Sequence, residues 1–247
     1  MVMPLYDEGP RARSMRPYAT YALLLINVGI FIYQFTLGDA AAAVFITTLG
    51  FIPAFLSGDA SGTLPAGLTL ITYQFLHGDL FHIIANMLFL WVFGDNVEDA
   101  MGPVRFLAFY VLCGVGAALG HWAADPHSVG LLIGASGSVS GVVMAYLLVR
   151  PCAKVTVLLV YRPVRLNAYW VIGAFVVMQV LNLTFSRGDN VAYWAHLAGL
   201  VTGAVLFPFM RYRHVALLQC IEHPEEPHVA DAPPAHEPAL TPERRGH

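Results

Sequence analysis

Six separate runs of apolar residues, each long enough to cross a bilayer, restrict what this chain can become. They fall at about residues 19–37, 79–96, 103–123, 131–149, 167–186 and 191–210. A helix needs about 20 apolar residues to span a hydrocarbon layer of about 30 Å, because only a fully hydrogen-bonded backbone is tolerated there. The composition agrees: 57% of residues are hydrophobic and 12% charged, against about 45–50% and about 25% in soluble domains. The expected fold is an all-α integral membrane protein, a six-transmembrane-helix bundle. A further apolar run at 40–56 is interrupted by Gly50 and Pro53. With 57–76 it reads as a long first loop lying partly in the membrane interface.

Basic residues set the orientation. Arg11, Arg13 and Arg16 precede the first span, and the loop after it has no Lys or Arg. Arg105 follows the second span, and the loop after the third again has none. Arg150, Lys154, Arg162 and Arg165 follow the fourth, Arg187 alone the fifth, and Arg211 and Arg213 the sixth. This alternation places both termini in the cytoplasm, in a multi-pass protein. The expected division is a cytoplasmic segment over 1–17, a six-helix domain over 18–212, and a disordered cytoplasmic tail over 213–247, rich in Pro, Glu and His. The net charge of −3 gives no reason to expect a nucleic-acid partner. Cys113, Cys152 and Cys220 are scattered and odd in number, so neither a disulfide framework nor a metal knuckle is expected.

Polar side chains at membrane depth are costly and point to function. Asn27, His82, Asn86, Ser136, Ser138, Ser140, Gln179, Asn182, Thr184 and His196 lie inside the runs. Spans two, four and six cross in the same direction, and each carries its polar group shortly after it begins. At 1.5 Å per residue, Ser136 and His196 come to lie about 7–9 Å below the outer surface. His82 and Asn86 are four apart and share a helix face. Gly137 with Gly141, and Gly199 with Gly203, have the spacing that lets two helix backbones approach closely. Packed through these small faces, spans four and six bring Ser136 and His196 within reach. A serine hydroxyl becomes a nucleophile when a neighbouring imidazole takes its proton. His82, Asn86 and the first amides of span four are the candidate donors for the resulting oxyanion.

GASGSVSG at 134–141, AHLAGLVTG at 195–203 and HGDLFHIIANMLFLWVFGDNVED at 77–99 together resemble the signature segments of the rhomboid family of intramembrane serine proteases. Arg105, after GDNVEDAMGPV, fits the family's acidic-then-Gly-x-x-Arg segment, and the resemblance covers about residues 15–210. It implies a rhomboid-like six-helix fold with Ser136 as nucleophile and His196 as general base, working as a dyad. It implies His82 and Asn86 as oxyanion-hole side chains, no cofactor, and transmembrane protein substrates entering from the bilayer past span five and the 186–191 loop. The expected location is the inner membrane of a bacterium. Some relatives carry an aromatic one turn after the serine; here that place is Ser140. The Trp-Arg pair that many relatives carry in the first loop is absent.

Other readings are weaker. Helix packing by small residues would explain the glycines around Ser136 but not His196, His82 and Asn86 at the same depth. Ser138 points away from Ser136 and reads as a packing or backbone-bonded hydroxyl; Ser140 is the alternative nucleophile, a turn deeper. His77 and His121 read as structural, although a metal site joining them to His82 and His196 is conceivable; no HExxH is present. No pair of aspartates lies in the spans, GASGS is not GxSxG, and the chain offers no strands for an α/β-hydrolase. A non-catalytic relative that binds and escorts membrane proteins would share the fold. A small transporter would call for an internal repeat or buried charges along a path, and neither is seen.

Overall fold

The computed structural model describes residues 3–7, 16–159, 162–185 and 193–220. Helix α1 (Tyr18–Thr36) is uncharged along its length and begins where a buried carboxylate receives it. Glu98 accepts from the amides of Ala19 (2.9 Å) and Thr20 (2.7 Å) and from the Thr20 hydroxyl (2.8 Å). Three donors and the positive end of a helix dipole are what make a 2% exposed carboxylate tolerable. The first loop is helical in pieces: α2 (Asp39–Leu49), α3 (Pro53–Ser57), α4 (Ala66–Thr72) and a 3-10 turn over Tyr73–Phe75.

Helix α5 (Leu80–Met101) starts at Asp79, whose carboxylate accepts the His82 amide at 2.8 Å. The apolar run ended at about 96, but the helix continues through Glu98 and Asp99, both buried. It stops at Gly102, at φ +85°, and Pro103 opens α6 (Pro103–Ala124). A left-handed glycine followed by proline at the first helical position makes a sharp stop and restart. Because Asp79 caps the helix that carries His82 and Asn86, Asp79→Ala is expected to cost about 1 kcal/mol. Thermal unfolding in detergent checks it.

The fourth span differs from its expectation. Helix α7 covers Ser136–Val149, fourteen residues and about 21 Å, and residues 131–135 are not helical. Gly134, at φ +121°, breaks the helix there, and Leu132 pairs instead with Phe51 in a two-residue bridge (3.0 and 2.8 Å). Ten of the fourteen residues are buried, so α7 is the centre of the bundle, packed against α5, α6 and the last helix. Helices α8 (Ala168–Phe185) and α9 (Tyr193–Met210) complete it. Five helices, α1, α5, α6, α8 and α9, are long and apolar enough to cross a membrane among the described residues. The protein is thus a mostly helical, multi-pass integral membrane protein.

A small sheet was not expected. β1 (Met3–Asp7), β2 (Lys154–Leu159) and β3 (Arg162–Asn167) form three antiparallel strands in the order β1-β2-β3. The sheet sits at the end of the bundle remote from Ser136. Asp7 reaches in from β1 to accept from the Tyr146 hydroxyl (2.8 Å) and the Asn96 amide (3.0 Å). The Cys152–Cys220 disulfide was not expected either, since the scattered cysteines gave no sign of a disulfide framework. Its partner segment belongs to the stretch read as tail: Val215 is buried, and the Leu218 amide donates to Leu148 O at 2.7 Å. The remaining tail (221–247), Arg11, Arg13 and the 186–191 loop lie outside the described residues.

Candidate active site

Ser136 is the first residue of α7, and the segment before it is held from both sides. The Phe51–Leu132 bridge fixes one side, and the Gly134 amide donates to Tyr73 O at 3.0 Å. Tyr73 is itself anchored, its hydroxyl donating to Gly114 O at 2.7 Å. Gly134 needs to be glycine twice over. Its φ is left-handed, and a Cβ there would stand 2.6 Å from His82 Nε2.

His196, on the first turn of α9, meets Ser136 directly: Nε2 lies 2.9 Å from Oγ. The approach depends on glycines facing each other along the α7–α9 crossing. A Cβ on Gly199 would overlap the Gly137 carbonyl oxygen, and one on Gly203 would overlap the Gly141 carbonyl oxygen. The two contacts step by four residues on both helices, as close backbone packing requires. On the other side of α7, Gly137 faces Ala117 and Gly141 faces Cys113 of α6. Gly116 and Gly120 do the same between α6 and α9, against Thr202 and Ala198. Sequence reading missed this third small-residue seam, although its four-residue spacing was visible in CGVGAALG.

His82 and Asn86 share a face of α5, as their spacing required. The Gly78 amide points at His82 Nδ1 at 3.5 Å, a long bond that favours the tautomer with the proton on Nε2. Nε2 is the atom beside Gly134, so His82 presents a donor toward the start of α7. Asn86 spends one amide hydrogen on His82 O at 3.0 Å and keeps the other. Ala135 supplies no side-chain cap to α7, so the first amides of the helix, beside Ser136, have no intrahelical acceptor. His77 is buried behind His82, the rings 5.1 Å apart and edge-on. Burial holds its imidazole down at about 3, and His82 beside it pushes the same way, so His77 is neutral.

Other candidates separate from the site. Ser138 is fully buried and donates to the Gln74 side chain at 2.9 Å, not to backbone. Ser140 is buried further along α7. No group of three or more His, Cys, Asp or Glu side chains is arranged to hold a metal among the described residues. A contact that sequence reading did not assemble is on the far side of His196: Nδ1 lies 2.9 Å from Gln179 Oε1. Gln179 stood out as a polar residue in span five. The missed signal was its register on α8, since Ala168, Val171, Ile172 and Gln179 form one buried stripe.

The rhomboid domain family matches residues 66–213, which takes in α4 through α9. Rhomboid-like protein 11, chloroplastic, of Arabidopsis thaliana is 26% identical over 208 residues, covering 79% of this chain and 66% of that protein. RHOMBOID-like protein 5 of the same plant is 31% identical over 150 residues, 59% of this chain and 46% of the relative. Rhomboid protease AarA of Providencia stuartii is 25% identical over 211 residues, 76% of this chain and 70% of the relative. The chain thus spans between about half and two thirds of the first two relatives' lengths. With its short central helix, its facing glycines and the segment that carries them inside the matched region, this chain belongs to the rhomboid family.

Proposed function

We propose that this protein is an intramembrane serine endopeptidase that cleaves peptide bonds in or beside transmembrane segments of other membrane proteins. The observation that carries the reading is the 2.9 Å contact between His196 Nε2 and Ser136 Oγ at the start of a central, shortened helix. In this reading Ser136 Oγ bonds to the substrate carbonyl carbon while His196 Nε2 takes the hydroxyl proton. His82, Asn86 and the first α7 amides hold the carbonyl oxygen as charge builds on it. The C–N bond then breaks, His196 gives its proton to the leaving amine, and water, activated by the same imidazole, hydrolyses the acyl-enzyme.

The shortness of α7 supports this chemistry. A fourteen-residue helix starts below the level at which a full span would begin, leaving a polar helix end inside the protein where irregular backbone is shielded from lipid. The substrates are single-span or multi-span membrane proteins that enter from the bilayer. The arginine distribution supports an orientation with both termini cytoplasmic, and the location proposed is the inner membrane of a bacterium. The test is cleavage of a panel of single-span membrane proteins in proteoliposomes. Products that form with the native chain and not with Ser136→Ala support the reading. Binding of panel members without cleavage would favour a non-catalytic escort.

The glycine contact gives a second expectation. Gly199→Val places a branched side chain against the Gly137 carbonyl and forces α7 and α9 apart by an ångström or so, a misplacement that costs about 100-fold in rate. Val201 is exposed on another face of α9, and Val201→Leu should leave turnover unchanged. Rates measured beside thermal stability separate a displaced site from an unfolded protein.

A further inference from the structure

Gln179 occupies an unusual place: a buried carboxamide on the inward stripe of a helix otherwise lined by apolar residues, with its Oε1 2.9 Å from His196 Nδ1. His196 thus has Ser136 on one ring nitrogen and Gln179 on the other. We propose that Gln179 is a positioning residue that fixes the tautomer of His196. The proposal rests on the serine-protease reading and extends its dyad to a Ser136–His196–Gln179 relay of contacts.

A neutral imidazole carries one proton, on either nitrogen. A base for Ser136 must have Nε2 free and the proton on Nδ1. The Gln179 oxygen is an acceptor only, so the Nδ1–H tautomer gains a hydrogen bond and the other tautomer sets two lone pairs against each other. That difference in hydrogen bonding selects the reactive form and also holds the ring plane toward Ser136. A carboxylate would select it too, but burying an unpaired charge at membrane depth costs several kcal/mol. An amide does the task without the charge. Tyr193, whose ring stands edge-on to His196 at 6.4 Å, offers no acceptor to Nδ1 in that arrangement. The other histidines facing the site, His82 on α5 and His121 on α6, are not bonded to either nitrogen of His196 among the described contacts.

Gln179 comes from α8, and α8 has a thin attachment to the bundle: only Ala168, Val171, Ile172 and Gln179 of its residues are buried. The hydrogen bond from His196 Nδ1 to the Gln179 carboxamide oxygen is therefore one of the few polar links between α8 and the catalytic pair. Its loss acts on the imidazole and not on the packing of α7 against α9, which the glycines hold.

The experiment reads the tautomer and the rate separately. Protein labelled with nitrogen-15 histidine, in lipid bilayers, gives ring-nitrogen resonances assigned to His196 by difference from His196→Ala. The expected native signal is a protonated Nδ1 and an unprotonated Nε2. In Gln179→Leu the two tautomers mix, and kcat falls about 10–100-fold, less than the about 10,000-fold seen when a triad partner imposes the wrong tautomer. KM and melting temperature stay close to native. Gln179→Glu, an acceptor of the same length, keeps the tautomer and most of the rate while lowering the melting temperature, because it buries a carboxyl group. A protonated Nε2 in the native protein, or an unchanged tautomer in Gln179→Leu, overturns the proposal. So does an equal loss of rate and melting temperature in both variants, which would make Gln179 a packing residue. The resonances decide the matter even if no substrate is cleaved, whereas failure of Ser136 to react with a serine-directed probe would count against the protease reading alone.

Discussion

Ser136→Ala and His196→Ala should each abolish cleavage while leaving expression, membrane insertion and melting temperature near native. The expected loss is at least about 10,000-fold for each, and the double variant should be no worse than either single one. The reason is that the two groups act as one unit: a serine without its base is a poor nucleophile, and a base without the serine has nothing to activate. The 2.9 Å contact between His196 Nε2 and Ser136 Oγ is the geometry of such a unit. Neither residue is fully buried and neither fills the core, so removing them should cost little stability. Initial rates in proteoliposomes for the three variants and the native chain check the pattern. Additive losses in the double variant would mean that the residues act separately.

The second large effect is expected at the oxyanion donors. His82→Ala and Asn86→Ala should each lower kcat by about 100–1,000-fold, with KM changed little, because these bonds form only when the carbonyl oxygen becomes negative. The two roles differ in structure. His82 offers Nε2 beside Gly134, while Asn86 already donates one hydrogen to His82 O and offers the second. His82→Ala should therefore leave α5 intact, and Asn86→Ala loses one local bond that solvent or a neighbour can replace. A reactive serine-directed probe should still label Ser136 in both variants, more slowly. Native turnover in the His82/Asn86 double variant would take both residues out of the oxyanion role.

Much of this arrangement could be read from the sequence, for a physical reason. In lipid the backbone has no partner but itself, so apolar runs become helices, and α1, α5, α6, α8 and α9 lie within a few residues of the expected spans. Hydropathy is blind to what ends a helix inside such a run. GASG is as apolar as its surroundings, yet Gly134 at φ +121° and the Phe51–Leu132 bridge stop α7 five residues short of 131. The same blindness hid the far end of α5, where Glu98 and Asp99 look like a boundary until the α1 amides that satisfy Glu98 are seen.

The sheet was hidden differently. Val155 and Val157 are buried with Thr156 between them, and β3 alternates Val164 and Leu166 with the exposed Arg165. Those signals occupy only six residues each, and the third strand comes from the other end of the chain. Nothing local marks β1 as the partner of β2, or Cys220 as the partner of Cys152 68 residues earlier. The candidate site was more legible. Ser136, His196, His82 and Asn86 are each the rare polar residue on an apolar helix, and the glycines that join their helices repeat every four residues. Gln179 escaped because its significance lies in register against α9, which a single helix does not display.

Covalent capture of the serine tests directly whether Ser136 is the nucleophile. The purified protein, in bilayers at neutral pH, is treated with a fluorophosphonate and digested, and the modified residue is located by mass spectrometry. A single adduct is expected on Ser136, formed at a saturable rate and lost in His196→Ala. An adduct on Ser140, or none on Ser136 while the protein still cleaves a membrane substrate, would contradict that assignment.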